Sequence, residues 1–266
     1  MTIHIIMKTV ALQIFGEFRC WNKVLDNNLY QLSKLFNNHV VDVYILTDKN
    51  DGYSLENELA ILELFAKYNL NVKWIQYWSD LIDYHYYDNY LQNKYDNFVR
   101  LKNGLKNNGY NNFTAKLWHR RYILNLLFLK SKTIKYDIIM AFRLFDTYIK
   151  ILKPFDFLEN MNDRTIWFSH DTLFIGSEKI ISRLLNFGHI GRIYDEKIWK
   201  NKLFCHEIKN NDLCLFGCKP TYCSEMQIYY YIISTFKHYY NIRFDHTNHD
   251  KTMEESDKYI HIVIAR

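Results

Sequence analysis

The apolar run Ile138-Ile139-Met140-Ala141-Phe142 opens directly into Arg143-Leu144-Phe145-Asp146. A guanidinium and a carboxylate at i and i+3, straight after a core strand, suit a diphosphate and a divalent cation, because hard oxygen ligands and an arginine together neutralise a leaving nucleotide. A surface salt bridge fits the same spacing and would add little to stability. Gly16-Glu17-Phe18-Arg19 follows a second apolar run, residues 9–15. Glycine there lets the backbone approach a ligand closely, and the arginine supplies a forked, permanently charged clamp for phosphate. An ordinary turn with a solvated arginine is the other reading. Thr47 and Asp48 close a third run, where a hydroxyl or carboxylate can meet a ribose or base edge, or where the aspartate simply starts an Asx-turn.

Other polar residues carry weaker signals. Lys116, Arg120 and Arg121 fall on a helix ahead of the Tyr136 strand, where one can reach a diphosphate or all can form a solvated face. Cys205, His206, Cys214, Cys218 and Cys223 invite a zinc reading, but spacings of nine, four and five residues do not give two paired C-x2–4-C arrangements. Trp21, Trp78 and Trp118 are candidates for stacking on sugar faces, although most aromatics in such a chain belong to the core.

These groups need a scaffold, and the hydrophobic pattern describes one. Residues 9–15 and 40–47 are near-continuous apolar runs, the mark of strands buried on both faces, and residues 24–37 between them carry apolar side chains at helical spacing. The theme repeats with a helix over 54–68, showing Leu55, Leu59, Leu62, Phe65 and Ala66 on one face, and a strand over 71–77. Residues 80–112 lose the pattern among Tyr, Asp and Asn and read as an insertion or lid. A helix over 113–129 and a core strand over 136–142 follow. Short strands over 165–169 and 172–175, helices over 177–186 and 225–238, and a strand over 259–265 complete the chain. Alternating strands and helices predict one α/β domain over 1–266, Rossmann-like, with a mainly parallel central sheet flanked by helices. In such sheets ligands bind beyond the carboxyl ends of the strands, which is where the candidate residues fall.

Composition agrees. Hydrophobic residues make up 48% of the 266 and aromatics 17%, enough apolar surface to offset chain entropy and exclude global disorder. The 34 Lys plus Arg exceed the 29 Asp plus Glu without forming a basic run, so no nucleic-acid partner is expected. Two prolines, eight glycines and heavy use of Asn, Lys, Ile and Tyr match an AT-rich coding sequence such as that of some large DNA viruses or protists. No stretch reaches the roughly 18 apolar residues of a membrane span, and five cysteines form no evident disulfide framework. A cytoplasmic protein without a transmembrane segment is expected, in host cytoplasm if the source is viral.

The order of blocks resembles a group of GT-A-type glycosyltransferases from viruses and bacteria. The blocks are Ala11-Leu12-Gln13-Ile14-Phe15-Gly16-Glu17-Phe18-Arg19, then Asp42-Val43-Tyr44-Ile45-Leu46-Thr47-Asp48, then Lys135-Tyr136-Asp137 leading to Arg143-Leu144-Phe145-Asp146. Downstream, His170-Asp171-Thr172-Leu173-Phe174-Ile175-Gly176-Ser177 is similar to that group's D-x-φ-φ-φ-G block, with φ apolar, and Ser224-Glu225-Met226-Gln227 to its S-E-x-Q helix start. The resemblance implies transfer of a monosaccharide from a nucleoside diphosphate sugar, a UDP-sugar by analogy, to a hydroxyl of a glycan, lipid or protein acceptor. It implies that Gly16 and Arg19 cradle the diphosphate, that Asp48 contacts the nucleoside, and that Arg143 and Asp146 stabilise the leaving group directly or through Mn2+ or Mg2+. Asp146 is then the metal ligand, and Asp171 or Glu225 handles the acceptor. Glu225 at a helix start also has a plain reading as a dipole-stabilised carboxylate. The family's Asp-x-Asp motif lacks its first aspartate here, which puts strict metal dependence in doubt; His246, His249 and His261 lie where such folds sometimes supply a histidine to the metal. The incomplete motif also leaves open a non-catalytic carbohydrate-binding or scaffold protein on a decayed transferase fold.

Overall fold

The computed structural model describes residues 7–49, 53–81, 113–151, 162–169, 172–189, 232, 235, 238–241 and 260–264. The elements are β1 (Thr9–Phe15), α1 (Trp21–Leu35), β2 (Val40–Thr47), α2 (Leu55–Lys67), β3 (Asn71–Tyr77), α3 (Phe113–Ser131), β4 (Ile138–Arg143), β5 (Thr147–Ile151), β6 (Thr165–Ser169), β7 (Leu173–Gly176), α4 (Glu178–Leu185), β8 (His238–Asn241) and β9 (Ile260–Ile264). The main sheet has the order β3-β2-β1-β4-β7-β6-β8. β3, β2, β1 and β4 pair in parallel, as do β6 and β8, while β7 runs antiparallel to both neighbours. The chain is therefore α/β with a mainly parallel sheet. β5 and β9 form a separate antiparallel pair.

Burial explains the unbroken apolar runs. Val10, Leu12 and Ile14 of β1, with Val41, Val43 and Ile45 of β2 and Ile138, Met140 and Phe142 of β4, pack on one face against α1 and α2. Ala11, Phe15, Tyr44, Leu46, Ile139 and Ala141 point the other way, toward α3 and α4. Because successive strand residues alternate sides, a sheet covered on both faces needs apolar residues at every position. The chain steps outward from β1 to β3 with helices on one face, then returns to the other side of β1 with α3 on the opposite face. Right-handed crossovers moving in opposite directions require that exchange.

Several expectations need adjustment. α2 buries Ile61 and Phe65 but leaves Leu55 and Leu59 exposed. β3 is the edge strand beneath it, so the sheet covers only a narrow stripe of that helix. α3 buries His119, Arg121 and Asn125 along with Trp118, Leu124 and Phe128, a broader and more polar face than its apolar spacing marks out. β5 follows β4 after a short turn and does not stand out in the sequence. β8 starts where the helix over 225–238 is expected to end, and most of that helix lies outside the described residues, as do 82–112. Among the described residues no helix is long and apolar enough to cross a membrane.

The end of the sheet where the parallel strands begin is closed by a buried polar cluster. The Tyr136 hydroxyl donates to Asp42 Oδ2 at 2.6 Å and lies 2.6 Å from the Tyr44 hydroxyl, while Asn71 donates to Asp42 Oδ1 at 2.7 Å. Lys73 adds charge compensation 3.5 Å from the same oxygen. These donors offset the cost of burying a carboxylate. Burial first, and then the bond to Asp42, pushes the Tyr136 phenol well above its ordinary 10.0. Burial likewise raises Tyr44. A raised folded-state value means that stability is fully present below about pH 10 and is lost as pH climbs past it, because only the unfolded chain can then ionise. Urea unfolding between pH 7 and 11 should therefore show stability falling from near pH 10, at up to about 1.4 kcal/mol per pH unit per tyrosine. Tyr136→Phe should flatten that slope and cost about 1–3 kcal/mol at pH 7 by removing a donor to Asp42.

Candidate active site

The strand order 3-2-1-4 reverses direction between β1 and β4, the point in an open α/β sheet where loops diverge and leave a crevice. In register Phe15 lies beside Arg143, so the chain leaving β1 and the chain leaving β4 emerge together. Gly16 takes φ +119, a backbone conformation that L side chains rarely adopt. A Cβ built there would lie 3.9 Å from the Arg143 Cγ, which places the arginine stem alongside the glycine turn.

Arg143 turns onto Asp146 in a two-pronged ion pair. Its Nε donates to Asp146 Oδ1 at 3.2 Å and an Nη donates to Oδ2. The Thr147 hydroxyl lies 3.4 Å from Oδ1. The turn itself is held from α1. Asn28, fully buried, donates from Nδ2 to the Leu144 carbonyl at 3.0 Å and the Thr147 carbonyl at 2.5 Å, and accepts from the Ile149 amide at 2.8 Å. Asn27 and Gln31 add bonds to the Ile149 carbonyl and the Ile151 amide, and Phe18 packs edge-on against Phe145 at 4.6 Å. α1 thus pins β5 by its amides, because an otherwise orphaned backbone must be satisfied when buried. Asn28 has no counterpart among the residues selected from the sequence. Its one signal was an Asn27-Asn28 pair of weak helix formers inside an apolar helix.

α3 lies over the same rim. Arg120 pairs with Asp48 at 3.0 Å and sits 5.2 Å from the Trp78 ring. Arg121 is fully buried, its guanidinium 4.2 Å from the Phe15 ring and 4.3 Å from Trp118. These arginines do not form a solvated helix face. Trp78 and Trp118 are core residues whose rings meet arginines, while Trp21 packs partly buried against the α1 side. Close approach fixes the helix: a Cβ on Gly188 would fall 2.0 Å from the Trp118 carbonyl oxygen. Beneath α3, Gln13 of β1 donates to Asn125 at 3.3 Å. At the strand ends, the buried hydroxyls of Thr47 and Ser169 have no hydrogen-bond partner among the described residues.

The structure thus gathers Gly16, Arg143 and Asp146 into one turn cluster and puts Asp48 at the end of the neighbouring strand, under Arg120. Arg19 instead pairs with Glu17 and leaves 60% of its side chain exposed. Asp171 lies outside the described residues, although Ser169 and Thr172, which flank it, sit at this rim, with the Arg143 amide bonded to the Thr172 carbonyl at 3.0 Å. Glu225, Lys116's side chain, His246, His249 and the 205–223 cysteine cluster also lie outside them. His261 falls in β9, opposite Lys150. Among the described residues a divalent cation at Asp146 does not fit, since both carboxylate oxygens already face the Arg143 guanidinium. A cleft of about 1050 Å³, lined by Lys8, Lys135, Asp137, Asp163, Glu178 and Arg183 among others, opens at the opposite end of the sheet. There Glu178 is taken up by Lys132 and the Tyr136 amide. Among the described residues that line this cleft, none comes from a loop at the carboxyl end of β1, β2, β3 or β4.

No protein-family profile and no curated protein sequence matches the chain. Among solved structures, it is similar to the bacterial N-acetylglucosamine transferase NleB, at 15% identity and a TM-score of 0.34, over 79% of this chain and 89% of that one.

Two substitutions test the local geometry. Gly16→Ala should cost about 1–3 kcal/mol through backbone strain, since its Cβ has room. Asn28→Leu should cost about as much per buried backbone group left unbonded, and amide hydrogen exchange at Ile149 should rise with it.

Proposed function

We propose that the chain is a glycosyltransferase that moves a monosaccharide from a nucleoside diphosphate sugar, a UDP-sugar as donor, to a hydroxyl of a glycan, lipid or protein acceptor. The observation that carries this reading is the convergence of the Gly16 turn and the Arg143 guanidinium at the reversal point of a parallel sheet. A glycine turn admits a pyrophosphate to the backbone, and an arginine fork matches phosphate geometry. The order of the sequence blocks points the same way.

The chemistry requires it. When a sugar leaves its carrier, negative charge collects on the departing diphosphate, and fixed cations aimed at that position lower the barrier. In this reading Arg143 is the cation and Asp146 orients it, while the Asn28-pinned turn keeps both in place. Gly16 lines the diphosphate, with Arg19 able to approach from the exposed side, and Asp48 with Arg120 borders the nucleoside. Asp171 or Glu225 accepts the proton of the attacking hydroxyl. A non-catalytic carbohydrate-binding protein on the same scaffold would bind without turnover, and the internal pairing of each rim charge is what favours it.

A thermal-shift panel of UDP, GDP and ADP and their sugars tests the assignment. A ligand at 100 times its dissociation constant should stabilise the protein by roughly 2.7 kcal/mol. Arg143→Gln should remove most of that gain while shifting the ligand-free midpoint little. Slow release of free sugar from the stabilising donor would mark a transferase; binding without release would mark the non-catalytic protein.

A further inference from the structure

We infer that this rim holds its nucleoside diphosphate without a divalent cation, with the Arg143 guanidinium as counter-charge and Asp146 as the partner the phosphate displaces. The inference rests on the transferase reading for the identity of the ligand, but its physical basis is separate.

The carboxylate expected to hold a metal is spent. Asp146 Oδ1 receives the Arg143 Nε at 3.2 Å and lies 3.4 Å from the Thr147 hydroxyl, and Oδ2 receives an Nη. A cation binding either oxygen would have to sit against a guanidinium that cannot lose its proton, so like charges would be forced together. The strand end from which the Arg143 side chain leaves is fixed, its stem alongside the Gly16 turn and its amide bonded to the Thr172 carbonyl. Leu144 stands at the first position of the expected acidic motif, and the residue just before it, Arg143, is a group that can do a cation's work. It is permanently charged, its donors are arranged as a fork, and a quarter of its side chain is exposed.

A phosphate bears more charge than a carboxylate and competes for the same fork. Asp146 then holds the guanidinium in the empty site, keeping it oriented and neutralised, and gives it up when the diphosphate enters. A metal ligand and a displaced competitor respond oppositely to loss of charge, which makes the two roles separable.

The test is calorimetric titration of the full chain with UDP, or with whichever of GDP and ADP stabilises it, in 1 mM EDTA and again in about 1 mM MnCl2 or MgCl2, a range that covers ordinary cation affinities. The expected result is affinity in EDTA within about threefold of that with metal. Asp146→Asn should bind severalfold tighter, Arg143→Gln at least about tenfold weaker in both buffers, and Arg143→Lys in between, because a lysine keeps the charge but not the fork. Thermal unfolding of each variant confirms that it is folded before titration. Binding that appears only with Mn2+ or Mg2+ and vanishes in Asp146→Asn would overturn the inference and leave the transferase reading standing. Absence of nucleotide binding in either buffer would remove both.

Discussion

Parallel pairing of β1 with β4 is the constraint from which the rest of the molecule follows. The two strands are distant in sequence, and the chain reaches β4 only after laying down β2 and β3 on the far side of β1. Once Phe15 is in register with Arg143, a glycine turn and an arginine must leave the sheet side by side. The same pairing puts α1 and α3 on opposite faces, so one helix can brace the Asp146 turn from below while the other brings Arg120 and Arg121 over the strand ends. Everything that gives the rim its chemistry depends on that adjacency.

The two ends of the sheet manage charge differently. At the end where strands begin, Asp42 is buried under two tyrosine hydroxyls, an asparagine and a lysine, a cluster with each carboxylate oxygen bonded. Such a cluster rigidifies. At the other end charges are paired one to one, Arg143 with Asp146 and Arg120 with Asp48, with partial exposure on each side. One-to-one pairs near solvent are cheap to exchange for a different anion, whereas a saturated buried cluster is not. The proposed binding role therefore falls to the end where pairs can be traded, and the ordered polar cluster serves the fold.

Arg121 occupies a third kind of environment. Its guanidinium is stacked among Phe15, Trp118 and Phe174, where aromatic faces supply part of the stabilisation that water would otherwise give. Gly188, with no room for a Cβ against the Trp118 carbonyl, sets how close the following turn comes to that helix. A small residue in one segment thus determines where an arginine in another can lie.

Much of the scaffold was legible in the residues. β1, β2 and β6 coincide with the apolar runs that announce them, because strands covered on both faces leave few polar positions to blur the signal, while β3, a half-exposed edge strand, coincides with the alternating stretch over 71–77. The strand-end positions of Gly16, Asp48, Arg143 and Asp146 were legible for the same reason. Local pattern could not say which face of α2 is covered, since that depends on β3 lying at the sheet edge. Nor could it show that Asn28 anchors the Asp146 turn or that Asp48 finds Arg120, since those contacts join segments whose proximity only the strand order creates. Composition and periodicity determined the α/β class and the strand ends that carry charge. Tertiary structure alone decided which charge meets which, because pairing is a property of distance in space and the chain encodes only distance along itself.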